Sequence, residues 1–131
     1  MTGTAEQATT TLSPDQHDAL RAVLIADREA TESLITRLIA DLDSFTEARK
    51  DGATDDEHDP EGPTLAFERS QSTAILEQTR QHFAQIESAM LRLDEGSFGV
   101  CATCGRDIPF ARLEVRPYST QCVSCASKAR R

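Results

Sequence analysis

All four cysteines of the chain fall in one stretch, as two Cys-x-x-Cys pairs, Cys101-Ala-Thr-Cys104 and Cys122-Val-Ser-Cys125, with seventeen residues between them. Each pair sets two thiols about one turn apart. Four thiolates in this pattern are the closed tetrahedral set of a structural Zn²⁺, at about 2.3 Å per Zn–S bond. One structural Zn²⁺ held by Cys101, Cys104, Cys122 and Cys125 is therefore expected. Four sulfur ligands leave no position for a reactive water, so the metal builds a fold and does no chemistry. Gly105, directly after the first pair, suits the left-handed backbone that turns amide N–H groups toward the sulfurs of a metal knuckle. Two disulfides would suit a secreted chain, but Met1-Thr-Gly-Thr-Ala-Glu6 has neither a basic start nor an apolar run. A redox Cys-x-x-Cys would need one pair only, in a strand-to-helix context absent here.

The rest of the chain is thin material for a globular core. Aromatic residues make up 5% of its 131 residues, Trp is absent and 27% are charged. That composition is ordinary for a helical hairpin whose seam is its only interior. No run approaches the roughly 18 apolar residues of a membrane span, so a soluble, cytoplasmic protein with no membrane partner is expected. The net charge of −8 is unevenly spread: residues 1–95 carry 8 basic and 20 acidic side chains, residues 96–131 carry 6 and 2. An acidic body argues against wrapping duplex DNA, whose non-specific affinity comes from Lys and Arg at phosphates.

Residues 1–12 show no period and read as a disordered tail. Ser13-Pro-Asp-Gln16 reads as a helix start, with Ser13 as N-cap, Pro14 at the first helical position and Gln16 closing a capping box. Leu24, Arg28, Thr31, Ile35, Leu38, Leu42 and Phe45 then step by fours and threes, widened by Leu20, Leu34 and Ile39. This is a coiled-coil seam with two polar interruptions. Residues 51–63 hold two glycines, two prolines and six carboxylates with no Lys or Arg, and break the pattern as a loop. A second helix is expected from near Thr64 to about Glu95, with Ser72, Leu76, Thr79, Phe83, Ile86, Met90 and Leu93 on its seam. Two such helices fold back antiparallel and carry the acidic loop to the tip. Gly96 to Gly99 turns the chain into the cysteine module. There Ile108, Phe110, Leu113 and Val115 supply a ribbon or helical turn, and residues 123–131 a short helix. The expected fold is thus mostly α: a long antiparallel coiled-coil hairpin over 13–95, with an acidic tip loop at 51–63 and a small four-cysteine zinc-finger module over 96–131.

The stretch Gly96-Ser-Phe-Gly-Val-Cys-Ala-Thr-Cys-Gly-Arg-Asp-Ile-Pro-Phe-Ala-Arg-Leu-Glu-Val-Arg-Pro-Tyr-Ser-Thr-Gln-Cys-Val-Ser-Cys125 resembles the DksA/TraR family of bacterial transcription factors. The likeness is densest at Phe98-Gly99, Ile108, Arg112-Leu113-Glu114 and Arg116-Pro117, and the hairpin agrees in architecture. The resemblance implies a protein that binds RNA polymerase, inserts its hairpin into the secondary channel and brings acidic tip residues toward the active-site Mg²⁺; a monomer is expected, although exposed apolar positions such as Ile25 and Ile75 could also join two molecules. Initiation would then change without sequence-specific DNA contact. Well-known members carry Asp-x-x-Asp-x-Ala at the tip. This chain offers Asp56, Asp59 and Glu61, keeping both aspartates and placing Glu61 where Ala is expected. A second register sets Glu61, Thr64 and Ala66 against the motif. Carboxylates suit the role, because hard Mg²⁺ prefers oxygen ligands.

Two other classes stand beside this one. One is a zinc-finger nucleic-acid-binding protein using Arg106, Arg112, Arg116, Lys128, Arg130 and Arg131. The other is a coiled-coil interaction module with a different protein partner, to which Phe67, Glu68 and Arg69 near the tip would contribute. His58 in the acidic loop reads as solvated, while His17 and His82 lie off the seams. No Ser-His-Asp set, phosphate-binding Gly loop or zinc-hydrolase motif is present, and no enzyme is expected.

Overall fold

The computed structural model describes residues 12–52 and 62–129, with side chains over 12–46 and 62–129. The tail before residue 12 and the heart of the acidic loop, including Asp56, Asp59 and Glu61, lie outside the described residues, as do Arg130 and Arg131. The order is α1 (Pro14–Gly52), α2 (Gly62–Glu95), α3 (Phe110–Val115) and α4 (Val123–Ala129). Among the described residues the β pairing is an isolated antiparallel bridge, Val100 with Asp107. The fold is mostly α, two long helices that pack together and a small C-terminal four-cysteine region.

α1 starts as its sequence dictates. The Ser13 amide donates to Gln16 Oε1 at 3.0 Å and the Gln16 amide donates to Ser13 Oγ at 3.1 Å, a reciprocal capping box. Pro14 loses nothing at the first position, where its missing N–H would have no helical partner, and Asp15 in the first turn favours the positive helix end. α2 begins two residues before the expected Thr64, because Pro63 is as well suited to a first turn as Pro14. It ends at Gly96, whose φ of +86° lets the Gly96, Ser97 and Phe98 amides all turn back to the Arg92 carbonyl, at 2.9, 3.0 and 3.2 Å.

By packing, the chain forms two units, one of residues 1–28 with 84–131 and one of residues 29–83. In the first, Arg21 pairs with Asp94 at 3.5 Å and Arg28 with Glu87 at 2.8 Å. Seven residues forward on α1 match seven back on α2, so the helices run antiparallel. Its core joins Leu20 and Leu24 of α1, Ile86, Ala89 and Leu93 of α2, and Phe98, Cys101, Ile108, Leu113 and Cys125 of the module. Leu12, Met90, Phe110 and Tyr118 pack around them half-buried. The seam therefore uses Ala89, fully buried, where the period had pointed to Met90. A small side chain lets α1 approach there, and the flexible Met90 covers the margin. His17, read as lying off the seam, is half-buried with its ring edge-to-face on Phe98, centroids 6.1 Å apart.

Among the described residues of the second unit the buried side chains are Thr31, Leu38, Leu76 and Thr79. Leu34, Ile35, Leu42, Phe45, Ser72 and Phe83 are half-buried, whereas Ile39, placed on the stripe by its spacing, is exposed. The buried Thr79 hydroxyl donates to the Ile75 carbonyl at 2.7 Å, so it enters the seam already satisfied. Phe67, Glu68 and Arg69 are exposed, Phe67 at 63%. No described helix is long and apolar enough to cross a membrane.

Candidate metal centre

The four cysteines come from two backbone knuckles brought together by the bridge and by α4. The Cys101 amide donates to the Arg106 carbonyl at 2.8 Å and the Gly105 amide to the Cys101 carbonyl at 2.9 Å, closing the first knuckle. Gly105 sits at φ +77°, the left-handed conformation its place after the pair required. The Ile108 amide donates to the Gly99 carbonyl at 2.7 Å, which pins the returning chain. The second knuckle opens α4, where the Ala126 amide reaches the Cys122 carbonyl at 2.9 Å. The two knuckles are tied directly: the Ala102 amide donates to the Thr120 carbonyl at 2.8 Å and Gln121 Nε2 to Thr103 Oγ1 at 2.9 Å.

All four sulfurs lie within 4.8 Å of one another, and Cys104 Sγ stands 3.8 Å from Cys122 Sγ. A tetrahedron with Zn–S bonds of about 2.3 Å has edges of about 3.8 Å, so this separation is that of two ligands on one ion. It is far too long for a disulfide, and all four thiols are free. Cys101 and Cys125 are buried and Cys104 is exposed, so the site has a dry side in the core and a wet side at the surface.

The electrostatics suit a cation. Burial alone would push the Cys101 thiol up, but the Cys104, Cys122 and Thr103 backbone groups and the Cys104 thiol outweigh it and bring the pKa down to about 6. Cys122 is also lowered, by the Cys125 backbone amide against the opposing effect of burial. Cys125 is pushed up to about 12, chiefly by its contact with Cys122 and then by burial. Without a cation the thiols are driven apart, Cys101 and Cys122 down and Cys125 up. A divalent cation removes that division and takes all four as thiolates. The donor set thus fits one structural Zn²⁺, held by the four cysteines with no position left open.

The basic residues around this centre are less free than their sequence suggested. Arg112 is half-buried, with Nε donating to the Gln121 carbonyl at 2.9 Å beside Cys122. Arg116 lies over the Tyr118 ring at 5.7 Å. Arg92 at the end of α2 donates to Ser88 Oγ at 3.0 Å and to the Tyr118 carbonyl at 3.5 Å, and its burial lowers its pKa. Arg106 and Lys128 are exposed. Arg92 was missed by sequence reasoning, since a basic residue in a last helical turn has an adequate local explanation in the helix dipole.

Comparison with known proteins follows the same division. Residues 96–131 match the prokaryotic dksA/traR C4-type zinc finger. The uncharacterized protein YteA of Bacillus subtilis is 32% identical over 73 residues, 56% of this chain and 30% of that protein. The RNA polymerase-binding transcription factor DksA of Haemophilus influenzae is 38% identical over 50 residues, 38% of this chain and 34% of that one. The chain thus spans about a third of the length of these relatives. The solved structure of transcription factor DksA2 from Pseudomonas aeruginosa shares the fold, with a TM-score of 0.76 and 21% identity, covering 90% of this chain and 85% of that one. The likeness in sequence is thus to the four-cysteine module, residues 96–131 matching the dksA/traR C4-type zinc finger, and the likeness to DksA2 is one of fold.

Proposed function

We propose that this protein is a non-enzymatic regulator of transcription that binds RNA polymerase. The observation that carries the reading is a four-cysteine family module joined to two long helices in a fold shared with a transcription factor. Relatives similar to this chain over 50 residues are named RNA polymerase-binding transcription factors. In this reading the chain is organised as a tail over 1–12, a hairpin over 13–95 with its acidic segment at 51–63, and the zinc module over 96–131, with Cys101, Cys104, Cys122 and Cys125 as ligands. It acts as a cytoplasmic monomer. The hairpin enters the polymerase secondary channel, and Asp56, Asp59 and Glu61 alter the environment of the catalytic Mg²⁺, which prefers oxygen donors.

The test has two arms. Purified protein is expected to be retained on immobilised RNA polymerase at micromolar concentration and to change initiation on at least some promoters in a reconstituted assay. The D59A/E61A variant is expected to keep binding and lose the change in output. Absence of binding would overturn the reading. Binding with unaltered output from both proteins would leave an interaction module whose acidic segment is a plain turn. Salt-dependent binding to bare nucleic acid, lost on reversing Arg106 and Lys128, would favour the nucleic-acid class instead.

A further inference from the structure

Among the described residues, the buried side-chain oxygen that has no hydrogen-bond partner is Ser119 Oγ. A hydroxyl taken out of water and left unpaired is destabilising, so its place in the fold matters. Ser119 lines a cleft of about 290 Å³ in the first packing unit, together with Gln85 of α2, Arg112 of α3, and Arg116, Tyr118 and Gln121 on the way to the second knuckle. No acidic residue lines it. Neither guanidinium has a carboxylate partner among the described residues. Arg112 is held by its Nε contact to the Gln121 carbonyl at 2.9 Å, which leaves its two terminal amino groups uncommitted. Arg116 lies exposed over the Tyr118 ring.

We propose that this cleft is a docking point for a partner protein, and that its occupant is the carboxylate of one acidic side chain. The terminal amino groups of a guanidinium are parallel donors that match the two oxygens of a carboxylate. Because the Gln121 carbonyl already fixes Arg112, little further order is lost when the fork is filled. The Ser119 hydroxyl adds another donor: holding no partner, it is free to turn between its staggered positions toward an acceptor above it. Volume sets the upper limit. About 290 Å³ falls just below the range of sites that enclose small-molecule ligands, which leaves room for a side-chain tip and too little for a nucleotide. That the partner is RNA polymerase rests on the function proposed above; the carboxylate chemistry does not.

Titration of the full zinc-loaded chain, followed in ¹H–¹⁵N spectra, tests the chemistry. N-acetylglutamate α-amide, a glutamyl side chain with a single carboxylate, should shift the Arg112 Nε–H and Ser119 amide signals and saturate at millimolar concentration. Its neutral isostere, N-acetylglutamine α-amide, should not. R116E should weaken binding of the carboxylate by about tenfold or more, the loss expected for a charge-assisted contact. S119A should weaken it several-fold while the melting temperature stays level or rises, since the variant also removes an unpaired buried hydroxyl. A serine with a merely structural role would not separate those readouts. On immobilised RNA polymerase, both variants should be retained less than the parent chain. Absence of saturable shifts, an equal response to the neutral isostere, or tighter binding of inorganic phosphate at equal ionic strength would overturn the proposal. So would undiminished retention of both variants on polymerase. Should the parent chain itself not be retained, the proposed function falls and the titration alone decides the cleft.

Discussion

The two packing units are built from the same two helices but hold very different interiors. Between residues 1–28 and 84–131, ten buried apolar side chains from α1, α2, the knuckles, α3 and α4 form one cluster. Among the described residues between 29 and 83 the buried ones are two leucines and two threonines. Each fully buried aliphatic or aromatic side chain contributes about 1.5–3 kcal/mol, so the first unit holds most of the apolar driving force. The difference teaches that the metal centre is no appendage on a self-sufficient hairpin. Cys101 and Cys125 are members of the cluster that fixes the first turns of α1, and that cluster crosses the helix-to-module boundary at Gly96 without interruption.

Removing zinc should have the largest effect and cut most directly at this contrast. Structural zinc sites contribute on the order of 10 kcal/mol of folding free energy, as much as a typical domain's whole stability. Chelation is expected to abolish hydrogen-exchange protection at Cys101, Ala102, Gly105 and Ile108, whose amides close the knuckles, and at Leu20 and Leu24. Part of the ellipticity should survive. Protection unchanged at Leu20 and Leu24 would show that α1 does not depend on the metal-bearing core. Complete loss of ellipticity would show that residues 29–83 depend on it entirely.

Next in size are core truncations, one in each unit. Phe98→Ala removes the largest fully buried side chain, packed against the His17 ring, and should cost about 3–5 kcal/mol in denaturant unfolding. Leu38→Ala should cost about 2 kcal/mol, the low end of the leucine range. Its neighbours Leu34, Ile35 and Leu42 are half-buried and free to close over the gap. Equal costs would mean that the seam of residues 29–83 is as tightly packed as the first core. Smaller again is Gly96→Ala. An added Cβ meets no atom within 4 Å, so the penalty is the left-handed backbone alone, about 1–2 kcal/mol. A neutral result would mean that the turn out of α2 can re-form with negative φ.

How much of this was legible in the sequence depends on how local each feature is. The capping box, the cysteine spacing, Gly105 and the short helix after Cys122 are set by residues a few positions apart, and all four appear as expected. The seam period located the buried face but could not choose between Ala89 and Met90. An apolar stripe fixes a direction, and the identity of the buried residue depends on how closely the partner helix approaches. Contacts between distant positions left no local trace. His17 on Phe98 and Arg112 on the Gln121 carbonyl are visible only once the chain is folded. The acids of the tip were singled out by resemblance to a family motif, and their role is a matter for the polymerase assay.

The smallest expected effect probes the threonines that thin the seam of residues 29–83. Thr79→Val keeps the β-branch, so rotamer freedom in the helix changes little, and it replaces a hydroxyl by a methyl of similar size. Deleting one partner of a buried hydrogen bond is usually costly because the other is stranded. Here the partner is the Ile75 carbonyl, which sits within α2 and keeps the Thr79 amide, four residues on, as its ordinary helical donor. The loss of one hydroxyl contact is then offset by the gain of one buried methyl. The change in unfolding free energy should fall within about 0.5 kcal/mol of zero, on the stabilising side if anything. A loss above about 1 kcal/mol would show that the Thr79 hydroxyl also supports a contact across the seam. The polar layer would then specify how the helices of residues 29–83 pair, and would not merely weaken their packing.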